Sequence, residues 1–352
     1  VKNLRSILAT LVMVVIGLAV SAATAVTPYI TIPGIMALSA FKHPKNVLTM
    51  AIQVELWESN IVGNLFKNNE FLNYCYIADE YVIGGKLVHI PQAGNPASVK
   101  RNRTSFPATV TLRQDVDVTY ALDEFTTDPH DIPNADTIEL SYDKISSVLQ
   151  EDQANLNEII ANWMLFKWAQ VGENRFLRTT GGSIDAHLPG ATGSRKKFVV
   201  DELKRANKMM NKDGVPKVDR YALFSADMYD QLITDTQFTQ YRDSIRDLNL
   251  PEGVITRLHG FWIMDRATVL VATNTDAPVI KTPDAGSATT DNDVVLCWQK
   301  QSVERAMGQT KAFEQKGNPT MFGDVYSFLQ RMGGRVRRND EKGVVLIIQD
   351  AA

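Results

Sequence analysis

The sequence predicts an α+β protein. Three observations carry this: a broad apolar helical face over residues 150–171, strand-like segments both before it and long after it, and no period of 20 to 50 residues that would build a solenoid or propeller. The 352 residues suffice for about two domain units or one large domain with excursions. With 44% hydrophobic and 22% charged residues, the chain is not fibrous, collagenous or wholly disordered. A net charge of −3 argues against a general nucleic-acid coat, whose affinity comes from neutralising phosphates, and leaves room for a local basic face. Cys75 and Cys297 lie far apart and form no CxxC, which excludes a disulfide scaffold or Cys-rich zinc site.

At the start, Lys2 and Arg5 precede the apolar run from Ile7 to Val20, and the small residues Ser21 to Ala25 follow, the order of a secretory signal. Uncharged sequence continues past Pro28 and Pro33 to Phe41, which also suits a membrane-anchored start. A third reading leaves residues 1–49 outside the working protein, with Met36 and Met50 as internal starts. Residues 52–72 are amphipathic through Leu56, Trp57, Ile61, Leu65 and Phe66, an arm able to pack on a neighbour as readily as on its own core. Gly84 and Gly85 precede a strand over 86–91, a turn-rich loop over 92–98, a short strand over 109–112 and a further one marked by Val116, Val118 and Tyr120. Together they predict a long hairpin.

Charge along this hairpin is segregated. Lys86, Lys100, Arg101, Arg103 and Arg113 are all basic, whereas Asp115, Asp117, Asp123, Glu124, Asp128, Asp131, Asp136, Glu139 and Asp143 are all acidic. Either this is a solvated surface, or the basic loop of one copy lies over the acidic region of another and sets register.

The helix over 150–171 presents Leu156, Ile159, Ile160, Trp163, Met164, Leu165 and Phe166, with Gly172 as a stop. Four glycines and Pro189 make residues 181–194 a loop or linker. A helix over 201–210 stops near Asp213 and Gly214; Tyr221 to Phe224 form a buried strand, and Ser225 caps a helix through Leu232. Residues 253–258 and 261–264 are strand-like around His259 and Gly260. Further strands are expected over 294–298 and 321–332, a helical turn over 302–307, and a terminal hairpin pairing 335–338 with 344–348 around 339–343.

Catalytic and ligand motifs are missing. Gly181 to Gly193 and the pair Gly333–Gly334 match neither GxGxxG nor a P-loop, and no serine sits in GxSxG. The five histidines form no HxH or HExxH pair. Asp128, His130 and Asp131 are the best local cluster, but Pro129 and Pro133 make it an exposed loop; His89, between Val88 and Ile90, reads as structural. Asp115 and Asp117 share a strand side, as any DxD pair does. Trp163 and Trp168 suit core or interface packing better than carbohydrate stacking. Arg335, Arg337 and Arg338 form a solvated hairpin edge, or touch nucleic acid or a neighbour. The sequence therefore predicts no enzyme, no cofactor and no metal.

In their order and spacing, six segments resemble a tailed-bacteriophage major capsid protein of the Hong Kong 97-type fold, over about 300 residues from Met50. They are MAIQVELWESNIVGNLFKNNEFL, the hairpin from Lys86 to Tyr120, NLNEIIANWMLFKWAQ, RYALFSADMYDQL, GVITRLHGFWIMD, and the tail VLCWQKQSVERAMGQ with FGDVYSFLQRMGGRVRRNDEKGVVLI. The resemblance implies an N-terminal arm (50–80), an extended hairpin loop (81–125), a peripheral domain with a long spine helix (126–200), an axial domain and return (201–320) and C-terminal strands completing the core sheet (321–352). It implies a structural subunit that forms pentamers and hexamers of an icosahedral shell around double-stranded DNA, assembled in the host cytoplasm. Its partners would be its own copies, a separate scaffolding protein, a portal and weakly contacted DNA, with no membrane. Subunit contacts would fall on Trp57, Phe66, Lys100, Arg101, Arg103, Asp123, Glu124, Asp128, Trp163, Arg335 and Arg337. Some fold relatives cross-link Lys to Asn; Lys86, Asn95, Lys100 and Asn102 supply the residue types without a linkage pattern, so no cross-link is expected. Cytoplasmic assembly favours a start at Met50. A genuine export signal would instead point to a secreted or surface-attached adhesin. Protein-shell compartments that enclose enzymes share the fold, and the arm and loop favour the phage reading.

Overall fold

Two sheets with contrasting burial patterns organise the chain. The computed structural model describes residues 69–92, 116–133, 144–238, 253–318 and 322–351, with positions 61, 64, 65, 99, 101–104, 106, 110 and 320, all within the unit Trp57–Ala352. A 3₁₀ turn, Glu70–Asn73, leads to β1 (Tyr76–Ile77), a second turn (Asp79–Tyr81), β2 (Val82–Ile83), β3 (Leu87–Gln92), β4 (Val116–Ala121), β5 (Asp123–Thr126) and β6 (His130–Pro133). The long helix α1 spans Lys144–Trp168. After it come β7 (Phe176–Arg178), β8 (Ser183–Asp185), β9 (Ser194–Lys196), α2 (Val200–Lys212), β10 (Arg220–Ser225) and α3 (Ala226–Ile233). The chain closes with β11 (Thr256–Leu258), β12 (Phe261–Arg266), β13 (Leu270–Ala272), β14 (Asn292–Gln299), β15 (Val303–Asn318), β16 (Gly323–Val336) and β17 (Val344–Ile348).

The larger sheet has the order β11-β12-β10-β14-β17-β7, with β13 also on β14. Its central strands β10, β14 and β17 are buried at every position, as continuous apolar runs such as VVLII require when both faces are covered. On one face α2 and α3 place Leu203, Ala206, Met210, Met228 and Leu232 against Ala222, Phe224, Ile263, Cys297, Val345 and Ile347. Each such fully buried large apolar side chain contributes about 1.5–3 kcal/mol relative to exposure. Helix ends are locally specified. Glu202 in the first turn of α2 accepts from Val199 N (2.8 Å) and from Thr180 N and Oγ1 (both 2.7 Å), and Gly214 leaves the helix at φ +70°. Ser225 Oγ accepts from Met228 N at 3.2 Å, the cap that the sequence predicts for α3.

The second sheet, β1-β15-β16-β5 with β6 also on β16, is dominated by the β15–β16 ribbon, paired from Val303↔Val336 to Asn318↔Gly323. α1 packs on β16 through Leu156, Ile160, Met164 and Trp168, one turn apart along a single buried face. Gly334 permits this approach: a Cβ there would overlap Met164 Cε and come within 2.6 Å of the Glu304 carbonyl oxygen. β3 and β4 pair from Leu87↔Ala121 to Gln92↔Val116, the base of the expected long hairpin, and β2 adds a third strand.

Several expectations need correction. Residues 302–307 are strand, not a helical turn: Val303, Ala306 and Met307 mimic helical spacing, but pairing with β16 overrides it. The terminal hairpin of 335–338 with 344–348 does not form. β16 ends at Val336 in the ribbon sheet, whereas β17 enters the other sheet between β14 and β7, where its apolar residues are covered on both faces. Residues 181–194 are not a plain linker, since β8 and β9 pair there as a small hairpin. The long helix ends at Trp168, before Gly172. Of the expected strand over 109–112 only Val110 is described, and the segment 1–49 lies outside the described residues.

Candidate subunit interface

A junction of buried aromatic residues joins the described end of the arm to both sheets. Phe71 meets Trp168 edge to face (5.9 Å), Trp168 meets Trp298 (5.8 Å), and Tyr221 stacks on both Trp298 (5.7 Å) and Tyr74 (4.5 Å). Each indole also satisfies its N–H: Trp298 Nε1 donates to Tyr74 O (2.8 Å) and Trp168 Nε1 to Glu304 O (3.0 Å). Arg305 Nε donates to Leu72 O at 2.9 Å. Residues 71–74, in the C-terminal part of the arm, are thereby fixed on their own subunit.

Arg335 and Arg337 come together beside this junction. Glu304, fully buried, receives Arg335 Nε at 2.6 Å and has Arg337 Nε at 3.9 Å, while the Arg337 guanidinium lies 4.0 Å from the Tyr76 ring centre. Neither arginine is the freely solvated hairpin edge that the sequence suggested, because a buried carboxylate draws both inward. Arg338 instead pairs locally with Asp340 at 2.7 Å, which holds the Asp340 carboxyl well below the usual carboxylate range.

The acidic block divides. Asp123 pairs with Lys167 of α1 at 3.0 Å, and Glu124 Oε2 accepts from both Nε (2.8 Å) and Nη2 (2.6 Å) of Arg331. Asp128 lies exposed between β5 and β6 with no ion-pair partner among the described residues. His130 begins β6, rather than sitting in a loop, and its Nδ1 lies 2.9 Å from Asp152 Oδ2. Of the basic loop residues, Arg101 is exposed and Arg103 half-buried, and neither pairs with a carboxylate among the described residues. Trp163 is half-buried on α1, edge to face with Phe166 at 5.6 Å. Trp57, Phe66 and Lys100 lie outside the described residues.

Apolar groups remain open on three surfaces. β3 alternates, with Val88 and Ile90 in a small core with Ala78, Leu122 and Ala306, while Leu87 and His89 face outward beside exposed Ile83. Val99, Phe106 and Val110 are 97%, 78% and 95% exposed, and Phe322 at the ribbon tip is 79% exposed. The ribbon tip was missed in the sequence, although Gly317, Asn318 and Pro319 signal a turn between two strands.

The chemistry of the buried polar groups is structural. His187 Nε2 lies 2.9 Å from Asp293 Oδ2, which also accepts from Ser225 Oγ. A nucleophilic triad needs the imidazole between carboxylate and hydroxyl; here the carboxylate is in the middle, so the imidazole does not stand beside the serine. Burial pushes the Cys75 thiol up to about 12 and raises that of Cys297, so neither is a thiolate near neutrality. Among the described residues no group of three or more His, Cys, Asp or Glu could hold a metal, and no helix is long and apolar enough to cross a membrane.

A family model described as phage capsid protein matches residues 150–350, from α1 to the end of the large sheet. Similar solved structures include the capsid of the cyanophage P-SCSP1u, with TM-score 0.55 and 17% identity over 79% of this chain and 86% of that one. The acidic stable capsid of Helicobacter pylori bacteriophage KHP30 gives 0.54 and 11% over 78% and 86%. Mycobacterium phage Che8 gives 0.51 and 15% over 79% and 90%. No curated protein matches the chain.

Proposed function

This chain belongs to the phage capsid protein family, and from that we propose that its copies associate as pentamers and hexamers that close into an icosahedral shell around double-stranded DNA. It is a structural capsid protein with the Hong Kong 97-type fold, and its place is the capsid. The observation that carries the assembly reading is the set of open apolar groups on the loop, the outward face of β3 and the ribbon tip, attached to a family-matched core that spans both sheets. Surfaces of this kind are covered in an assembly. In this reading the arm (50–80), with Trp57 and Phe66, and the loop (81–125), with Lys100, Arg101 and Arg103, reach neighbours; 126–200 is the peripheral domain, 201–320 the axial domain and return, and 321–352 the closing strands. Assembly takes place in the host cytoplasm, with a separate scaffold and a portal as further partners.

Electron microscopy of the purified full chain, and of the chain from Met50, across concentration and salt tests this reading. Closed shells or capsomer rings are expected. Isolated monomers under every condition, scaffold included, would refute it and return the exported adhesin as the better account.

A further inference from the structure

The exposed face of α2 carries a ladder of cations. Lys204, Lys208 and Lys212 follow at four-residue spacing, so their stems leave one side of the helix about 6 Å apart along its axis. The opposite side, Leu203, Ala206 and Met210, is buried in the core. Asn207 and Asn211 stand between the lysines, and His259 from the β11–β12 turn completes an open hollow of about 440 Å³. That turn is set by positive φ at His259 (+46°) and Gly260 (+88°), which seats Gly260 within 3.8 Å of the Asn207 amide as measured from an added Cβ. Lys204 pairs with Asp201 at 2.8 Å; Lys208 and Lys212 have no carboxylate partner among the described residues.

Beyond Asp201, which pairs with Lys204, no further carboxylate stands on this face up to Lys212, on a chain whose net charge is −3. Ammonium, amide and imidazole groups are the donors that meet phosphate oxygens. No aliphatic residue lines the hollow to anchor the side chains of an acidic peptide, and no Phe, Tyr or Trp lines it to stack a base. The donor set thus suits a sugar–phosphate backbone read without regard to sequence.

We propose that this face of α2 with the β11–β12 turn is a phosphodiester-binding surface through which the subunit holds double-stranded DNA. The proposal rests on the shell reading for the identity of its ligand, and adds the place of contact.

Binding of a short fluorescent DNA duplex of mixed sequence to the full chain, followed by anisotropy across a salt series, tests it. The variants are Lys208→Gln with Lys212→Gln, and Lys311→Gln on β15 as a control, each checked for an unchanged denaturation midpoint. Two lost phosphate contacts reduce the slope of log affinity against log salt by about 2, while the control keeps the wild-type slope and duplexes of different sequence bind alike. A double variant that binds as wild type would overturn the proposal, as would polyglutamate competing as well as DNA at equal charge. Electron microscopy of the same samples separates the two readings. Wild-type shells without duplex binding defeat the phosphate face and leave the shell intact; duplex binding through Lys208 and Lys212 without shells supports the face and defeats the shell.

Discussion

Gly334→Ala tests the seam on which the fold turns. β16 passes beneath α1 at this residue, and an added Cβ would overlap Met164 Cε, lie 2.6 Å from the Glu304 carbonyl oxygen and 3.1 Å from Trp168 Nε1. Met164 is a flexible chain end and can swing away. The carbonyl cannot, because it belongs to β15 and accepts the Trp168 N–H at 3.0 Å. The helix must therefore lift from the ribbon by several tenths of an ångström. Overpacking of this kind costs about 1–3 kcal/mol, and weakening the indole hydrogen bond adds about 1 kcal/mol. A loss of about 2–4 kcal/mol is a large part of the roughly 5–15 kcal/mol that holds a domain together. Chemical denaturation of the unassembled full chain measures it, with Gly182→Ala as the control, since a Cβ at Gly182 meets nothing within 4 Å. Equal midpoints for Gly334→Ala and wild type would refute the argument that the glycine exists for close approach.

Other perturbations probe the polar interior. Glu304→Gln leaves Arg335 and Arg337 beside an uncharged amide; with both arginines partly exposed the cost is about 2–3 kcal/mol, read from the denaturation midpoint, and an unchanged midpoint would show that the pair adds nothing. Burial pulls the His187 pKa down, but the hydrogen bond and charge of Asp293, with Asp227 behind, outweigh it and hold the value above 6.5. Its contribution is therefore complete below 6.5 and lost as pH rises through the raised folded-state value, so wild type loses stability relative to His187→Gln as pH rises above 6.5; parallel pH profiles would contradict this. Ser225→Ala removes both the α3 cap and a donor to the buried Asp293 carboxylate, and costs about 2–4 kcal/mol by the same denaturation assay. Asp128→Asn leaves subunit stability unchanged and shifts the salt dependence of assembly seen by light scattering, whereas Glu124→Gln lowers subunit stability by about 0.2–1 kcal/mol; the reverse pattern would place the intersubunit charge on β5.

Elements whose pattern is local were legible in the sequence. The α1 face, the buried run Tyr221 to Phe224 and the Ser225 cap each follow from residues within a few positions of one another. The ribbon was less so. Val303 to Ala306 are buried on both faces of β15, which erases the alternation that marks a half-buried strand, and the strand's identity depends on a partner 10 to 33 residues away, by the Gln315↔Val325 to Val303↔Val336 pairings, rather than on its own pattern. β17 failed for a related reason: its two neighbours, β14 and β7, are remote in sequence, while the turn residues before it suggested the nearer partner. The α2 ladder was visible only as helix, because its relation to His259 requires the fold.

The cis ion pairs also revise how copies of this chain can set register. Asp123 and Glu124 are consecutive residues of one strand and point to opposite faces of the sheet, Asp123 toward Lys167 on α1 and Glu124 toward Arg331 on the other side. They cannot both face one neighbour's basic loop, and each is already neutralised at home. A neighbour drawing on either must break an existing pair for one of similar strength, which leaves little net gain. Asp128, exposed in the turn beyond β5, bears no such cost. In the shell reading proposed above, electrostatic register between copies would therefore fall to the β5–β6 turn and binding energy to the open apolar groups of the loop and ribbon tip, where removal from water is favourable and no internal pair has to be surrendered.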